Sequence, residues 1–268
     1  MGSDLQPRRK RFGQHFLHDP ALRRRIVSSL DLEPSTPVLE IGPGGGALTE
    51  LLLDAGHAVV AIEIDRDLTA GLLEKFHDRP LTIVNEDVLS MDLLALAEKH
   101  GVRSWQLLGN LPYNISKPVS MRLVEQVEAI ECAVLMYQLE VAGRLVAQPG
   151  ASDYAPLTVL AGACFEIEQL FRVKPKAFRP PPKVDSAVTR WRRRAERPSD
   201  EKLQRLRQVL GVGFANRRKT LANNLRRELP ADAVHELLER SAIDGRRRAE
   251  TLTPEEWATI SEGWPHQP

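Results

Sequence analysis

Between residues 38 and 138 five short apolar runs alternate with four stretches of helical periodicity, and that alternation leaves few folds open. The runs are VLEI (38–41), AVVAIEI (58–64), LTIV (81–84), WQLLG (105–109) and CAVLMYQ (132–138). The stretches at about 47–55, 67–76, 91–99 and 117–128 repeat apolar residues at helical intervals. Strands apolar along their whole length are buried on both faces, and strand–helix–strand units cross over right-handedly. The pattern therefore predicts an α/β fold, a parallel sheet with helices on both sides.

The flanks extend this plan. Asp19-Pro20 supplies a capping carboxylate and a proline suited to the first helical position, so a helix should run to about Leu30. A helix pair should fill about 139–163. FEIEQLF (165–171) and VDSAVTRW (184–191), joined by a proline-rich connection, read as an antiparallel pair. After Arg197-Pro198-Ser199 only helical periodicity remains, broken by Pro230, Gly245 and Pro254. Two domains are expected, residues 1–197 and a small helical one at 198–268.

Glu40-Ile41-Gly42-Pro43-Gly44-Gly45-Gly46-Ala47 follows the first run and opens a helix. Gly42, Gly44 and Ala47 satisfy the glycine-rich nucleotide fingerprint, and Glu63 ends the next strand, where a carboxylate can accept both ribose hydroxyls of an adenosine. The loop alone does not say which nucleoside cofactor it holds. Glu40 favours S-adenosylmethionine over a nicotinamide, because a carboxylate beside the loop suits ammonium and sulfonium charges. Asp87, after the third strand, can accept from an adenine amine or cap the next helix.

The fourth strand delivers GNLPYNIS (109–116) to the same sheet edge. An adenine exocyclic amine is a poor nucleophile because its lone pair is delocalised into the ring. If the Asn110 side-chain oxygen and a carbonyl at Leu111 or Pro112 accept its two N–H groups, the nitrogen can pyramidalise toward a methyl donor. Pro112 stiffens the backbone acceptor, and Tyr113 offers a face on which an extruded base can stack. A strand-ending turn with a core tyrosine is the plainer alternative.

The formal charge of +1 hides a segregation. Residues 1–25 carry a net +5 and residues 172–227 a net +14, leaving −18 on the rest. A basic surface for a polyanion, attached to an acidic body, follows. Cys132 and Cys164 lie far apart in apolar stretches and read as buried free thiols. No run of eighteen apolar residues occurs, and no apolar stretch follows the basic N-terminus, so neither a membrane span nor a secretory signal is expected and a cytoplasmic setting fits. His15 and His18 have H-x-x-H spacing without a second ligand pair, and the other histidines are scattered and expected to be exposed. No metal site is expected.

RFGQHFL (11–17), EIGPG (40–44), IEID (62–65), GNLPYNIS (109–116), AFRPPPKVDSAV (177–188) and RRKTLANNL (217–225) together resemble the ribosomal RNA small-subunit adenine dimethyltransferase family. The segments span most of the chain, in the family's order. The resemblance implies a class I S-adenosylmethionine-dependent methyltransferase fold, mostly parallel with an antiparallel last strand. It also implies dimethylation of two adjacent adenosines near the 3′ end of small-subunit ribosomal RNA, within a pre-small-subunit particle; the lack of a long apolar seam leads to the expectation of a monomer.

Carried over, cofactor contacts fall on Phe12, Gln14, His15, Leu17, Gly42, Gly44, Glu63, Asp87 and Asn110. Asn110, Leu111, Pro112 and Tyr113 activate the amine, and Phe178 becomes a second aromatic wall of the base pocket. Arg179, Lys183, Arg217, Arg218 and Lys219 are candidate RNA contacts. Departures from the family pattern are His15 in place of Asn, the additional glycines Gly45 and Gly46, Leu139 in place of Lys, and Ala155-Pro156 in place of Gly-Arg. The last two remove positive charges from the substrate side. Three rivals remain open here: a nicotinamide-dependent dehydrogenase, a non-catalytic RNA-binding assembly factor, and the related large-subunit adenine methylase.

Overall fold

A computed structural model describes residues 15–30 and 32–265. The described residues open with a two-residue strand, β1 (Phe16–Leu17), and a helix, α1 (Pro20–Ser28). Asp19 caps that helix as its place before a proline predicts, accepting from the backbone N–H groups of Ala21 and Leu22 at 3.0 and 3.1 Å. The alternation then unfolds as read: β2 (Val38–Ile41), α2 (Thr49–Asp54), β3 (Val59–Ile62), α3 (Arg66–Lys75), β4 (Leu81–Val84), α4 (Leu93–Lys99), β5 (Trp105–Asn110), α5 (Ser116–Glu125) and β6 (Ile130–Gln138). The expected helix pair is α6 (Leu139–Leu145) and α7 (Pro156–Cys164), and β7 (Phe165–Val173), β8 (Phe178–Arg179) and β9 (Ser186–Arg193) follow. Four helices close the chain: α8 (Asp200–Gly213), α9 (Leu221–Leu225), α10 (Ala231–Arg240) and α11 (Pro254–Gly263).

The main sheet has seven strands in the order β4-β3-β2-β5-β6-β9-β7. β2 to β6 are parallel, and β9 runs antiparallel to both of its neighbours. β9 therefore slots between β6 and β7 rather than forming the sheet edge. Successive residues of the inner strands face opposite sides: Leu39, Leu107 and Leu135 join one apolar core, while Val38, Leu108 and Val134 join the other. That is why apolar residues occupy successive positions in these strands. β4, at the edge, is only partly buried.

The proline-rich connection holds a feature that patterning does not show. β8 pairs antiparallel with β1, Leu17 opposite Phe178 and Phe16 opposite Arg179. Two residues are too few for any period to register. The C-terminal helices start where expected: Ser199 caps α8, Pro254 begins α11, and Thr253 with Glu256 forms a capping box. Their core continues that of α7 without a break, from Leu160 through Leu206 and Leu210 to Trp257. Cys132 and Cys164 are buried, and neither forms a disulfide. His57 corrects one expectation, being 6% exposed with its Nδ1 3.0 Å from the Thr36 carbonyl. Among the described residues no helix is long and apolar enough to cross a membrane.

Candidate active site

Ile41 and Gly109 are Cα partners across β2 and β5. The segments leaving these two strands, the glycine loop and Asn110–Tyr113, thus emerge side by side at the point where the strand order reverses, the usual ligand crevice of such sheets. A cavity of about 410 Å³ opens there, a size common for small-ligand sites. Its lining includes His15, Phe16, Leu17, Arg23, Glu40, Gly42, Gly44, Glu63, Ile64, Glu86, Asp87, Asn110, Leu111, Pro112 and Tyr113. Phe12 and Gln14 lie outside the described residues.

The loop is shaped by glycines in the left-handed region, Gly42 at φ +67° and Gly44 at φ +58°. A Cβ on Gly44 would stand 3.2 Å from the Phe16 ring, closer than usual, so β1 packs tightly over the loop at a glycine. Glu63 reaches back to the same turn. Its Oε2 accepts from Gly44 N at 3.3 Å and its Oε1 from Asp65 N at 3.0 Å. Burial pushes its carboxyl above the usual range, against the pull of those backbone donors.

Glu40 is more extreme. Burial drives its carboxyl up to about 7, opposed by Thr49, whose hydroxyl donates to Oε2 at 2.6 Å, and reinforced by the charge of Glu63. Asp87 does not cap the next helix, a task that falls to Asp92. Its Oδ1 instead accepts from Leu89 N at 3.0 Å, forming a tight turn at the cavity wall.

At the opposite wall the Asn110 side-chain amide donates through Nδ2 to the His15 carbonyl, 3.2 Å away. A carbonyl can only accept, so this bond assigns the amide orientation and keeps Oδ1 as an acceptor. Tyr113 is half-buried; its hydroxyl lies 2.8 Å from Ser186 Oγ and its ring centroid 5.6 Å from that of His15. The His15 ring binds Pro180 O through Nδ1 at 2.7 Å, so that nitrogen carries the proton and is committed to the protein.

Phe178 is not among the residues that line the cavity: it is 2% exposed and packs in the core with Leu17, its partner across β1 and β8. Several lining residues escaped the sequence reading, three of which bear on the shape of the site. Phe16 sat unremarked inside RFGQHFL, and Ile64, half exposed at the end of IEI, had only its apolarity to mark it. Arg23, whose Nε and Nη2 donate to Leu17 O, carries no sequence signal.

The basic block is partly spent. Arg190, Arg192, Arg193, Arg197, Arg205 and Arg207 pair with Glu168, Glu131, Glu128, Glu201 and Glu125. Part of the charge segregation is thereby neutralised across the fold. Arg217 is also engaged, donating to Ser152 O at 2.6 Å. Arg179, Lys183, Arg218 and Lys219 are exposed. The Ala155-Pro156 departure has a structural role, since Pro156 starts α7 and Tyr154 before it is buried.

The lining tests the cofactor. Its acidic groups, Glu40, Glu63, Glu86 and Asp87, face one arginine. A cationic nucleoside suits that set; the dianionic pyrophosphate of a nicotinamide cofactor does not.

The model for ribosomal RNA adenine dimethylases matches residues 6–264. The ribosomal RNA small subunit methyltransferase A of Laribacter hongkongensis is 44% identical over 255 residues, covering 94% of each chain. That of Nitrosococcus oceani is 42% identical over 260 residues, covering 96% of each. Among solved structures, the 23S rRNA methyltransferase ErmE aligns with a TM-score of 0.68 at 31% identity, over 93% of this chain and 99% of its own. A dimethyladenosine transferase from Plasmodium falciparum shares the fold with a TM-score of 0.76 at 24% identity, over 92% and 96% of the two chains. The chain belongs to the ribosomal RNA adenine dimethylase family.

Proposed function

We propose that the protein transfers methyl groups from S-adenosylmethionine to the exocyclic amines of two adjacent adenosines near the 3′ end of small-subunit ribosomal RNA, giving N6,N6-dimethyladenosines. The observation that carries this reading is the Asn110 amide. Its nitrogen is tied to His15 O, which leaves Oδ1 as an acceptor in the cavity that also holds Glu63 and the glycine loop. S-adenosylmethionine, when bound, supplies an electrophilic methyl group.

The chain's own residues do the rest. Glu63 offers carboxylate oxygens to the ribose hydroxyls, Asp87 an acceptor to the adenine amine, and Gly42 and Gly44 a backbone with no side chain in the way. Asn110 Oδ1 and a carbonyl at Leu111 or Pro112 accept the target amine's two N–H groups, and Tyr113 holds the base by stacking. No side chain need act as a general base before transfer; the orientation of two acceptors exposes the lone pair, and geometry replaces proton abstraction. Arg179, Lys183, Arg218 and Lys219 contact phosphates.

Small-subunit rather than large-subunit RNA is favoured because the small-subunit enzymes are about 44% and 42% identical, against 31% for the large-subunit enzyme. The protein works as a cytoplasmic monomer on a pre-small-subunit particle. Mapping methylated adenosines in both ribosomal RNAs from a strain lacking the gene tests the assignment. Loss of two adjacent dimethyladenosines near the small-subunit 3′ end is expected; loss from large-subunit RNA, or no loss, overturns it.

A further inference from the structure

The Tyr113 ring is fixed at both ends. Its backbone follows Pro112, whose ring restricts the chain, and its phenol oxygen lies 2.8 Å from Ser186 Oγ. Ser186 is itself held within the sheet. It is fully buried, the first residue of β9, and stands in register between Gln138 of β6 and Val173 of β7. Because β9 is the antiparallel strand, its N-terminal end meets the C-terminal ends of the parallel ones, and this hydroxyl arrives at the cavity edge. A serine hydroxyl this deeply buried is a polar group that must be satisfied. Here its side-chain partner is a ring that lines the cavity.

We propose that Ser186 is a positioning residue: its hydroxyl pins the Tyr113 phenol so that the ring presents a preset plane to the target base. This rests on the reading of the cavity as an adenine methylation site. Phe178 is turned into the core, so of the two rings expected to wall the base only Tyr113 is at the cavity, and its orientation has to come from elsewhere. A free tyrosine would sample several side-chain angles, and the base would be ordered only by fixing the ring during binding. With the phenol anchored, that ordering is complete before RNA arrives. The bond sets geometry, and so acts on the rate of transfer rather than on the affinity for RNA or cofactor.

The test compares Ser186→Ala, Tyr113→Phe and the double variant, with methyl-deficient small-subunit particles and S-adenosylmethionine. Each single variant removes the same hydrogen bond from one side and keeps the ring. Each is expected to slow single-turnover methylation about fivefold, the scale of one neutral hydrogen bond. The double variant should be no slower than either single, and dissociation constants for particle and cofactor should stay within about twofold of wild type. Ser186→Thr, which restores the hydroxyl, should recover the rate if it folds; the Tyr113→Phe arm does not depend on it. A wild-type rate in Ser186→Ala, or a double variant slowed by the product of the two single effects, overturns the proposal. Failure of the wild-type protein to methylate adenosine at all would instead sink the functional reading beneath it.

Discussion

Asn110 and His15 are 95 positions apart, yet the side-chain amide of one donates to the main-chain carbonyl of the other at 3.2 Å. The bond ties the N-terminal segment to the fourth strand of the alternating series at the one place where amide orientation decides the chemistry. An Asn turned the other way would present N–H groups to an amine that itself needs acceptors.

Asn110→Ala should therefore lower the single-turnover methylation rate by about two to three orders of magnitude, as loss of a preorganised transition-state contact does. RNA affinity should stay near wild type. Weakened RNA binding with an unchanged single-turnover rate would contradict the assignment.

Glu63→Ala should raise the dissociation constant for S-adenosylmethionine. Hydrogen bonds to a charged group are worth about 1.5–3 kcal/mol, or about 10- to 150-fold. Glu63 also anchors the loop through Gly44 N, so the upper part of that range is expected. Calorimetric affinity within twofold of wild type would refute the ribose role.

The buried Glu40 gives a pH signature. Its carboxyl is raised to about 7 in the fold, chiefly by burial, from an unfolded value of 4.5. Between these values the folded chain binds more protons than the unfolded one, so Glu40 makes stability fall as pH rises through that window. Glu40→Gln should remove this component: no gain in Tm near pH 4.5, and a higher Tm than wild type at pH 8. Parallel Tm-against-pH curves for the two proteins would show that Glu40 is charged throughout.

The strands, the glycine loop and the Asn110–Tyr113 segment were readable because each carries a local signal: an unbroken apolar run, a glycine turn, a proline after an amide. Long-range partnership leaves no such mark. Nothing in Arg23 announces the Leu17 carbonyl, and nothing in Arg190 or Arg197 announces Glu168 or Glu128. The charge blocks were correctly counted, but ion pairing across the fold decides which charges stay free for a polyanion. The core position of Phe178 is illegible for the same reason, since it comes with a two-residue pairing to Leu17.

That pairing of charges sharpens the RNA prediction. Replacing Arg218 and Lys219 by Ala should flatten the slope of log affinity against log salt by about 1.4–1.8, roughly 0.7–0.9 per phosphate contact. Arg217→Ala should flatten the slope too and also lower Tm, because its exposed guanidinium donates to the neutral Ser152 carbonyl and keeps its charge. Filter binding at a series of salt concentrations checks both. A slope unmoved by the double replacement would place these residues away from RNA.

The final prediction concerns the two methyl groups. After the first transfer the amine keeps one N–H, so one acceptor loses its hydrogen bond and the base must turn its new methyl group aside before the second. Stacking tolerates such in-plane rotation better than directional hydrogen bonds do, so the frame around Tyr113 has to stay rigid while the base moves. Phe178 belongs to that frame from within the core: it pairs with Leu17, beside His15, whose carbonyl orients Asn110. Phe178→Ala should cost about 3–5 kcal/mol of stability. It should also slow both transfers and let monomethyladenosine accumulate in a time course followed by mass spectrometry of digested ribosomal RNA. Phe178→Leu, which refills most of the volume without a ring, should restore the wild-type ratio of monomethyl to dimethyl product. Persistent monomethyl product in the Leu variant would mean that the ring itself meets the base once RNA is bound, and that the β1–β8 pairing opens to let it do so.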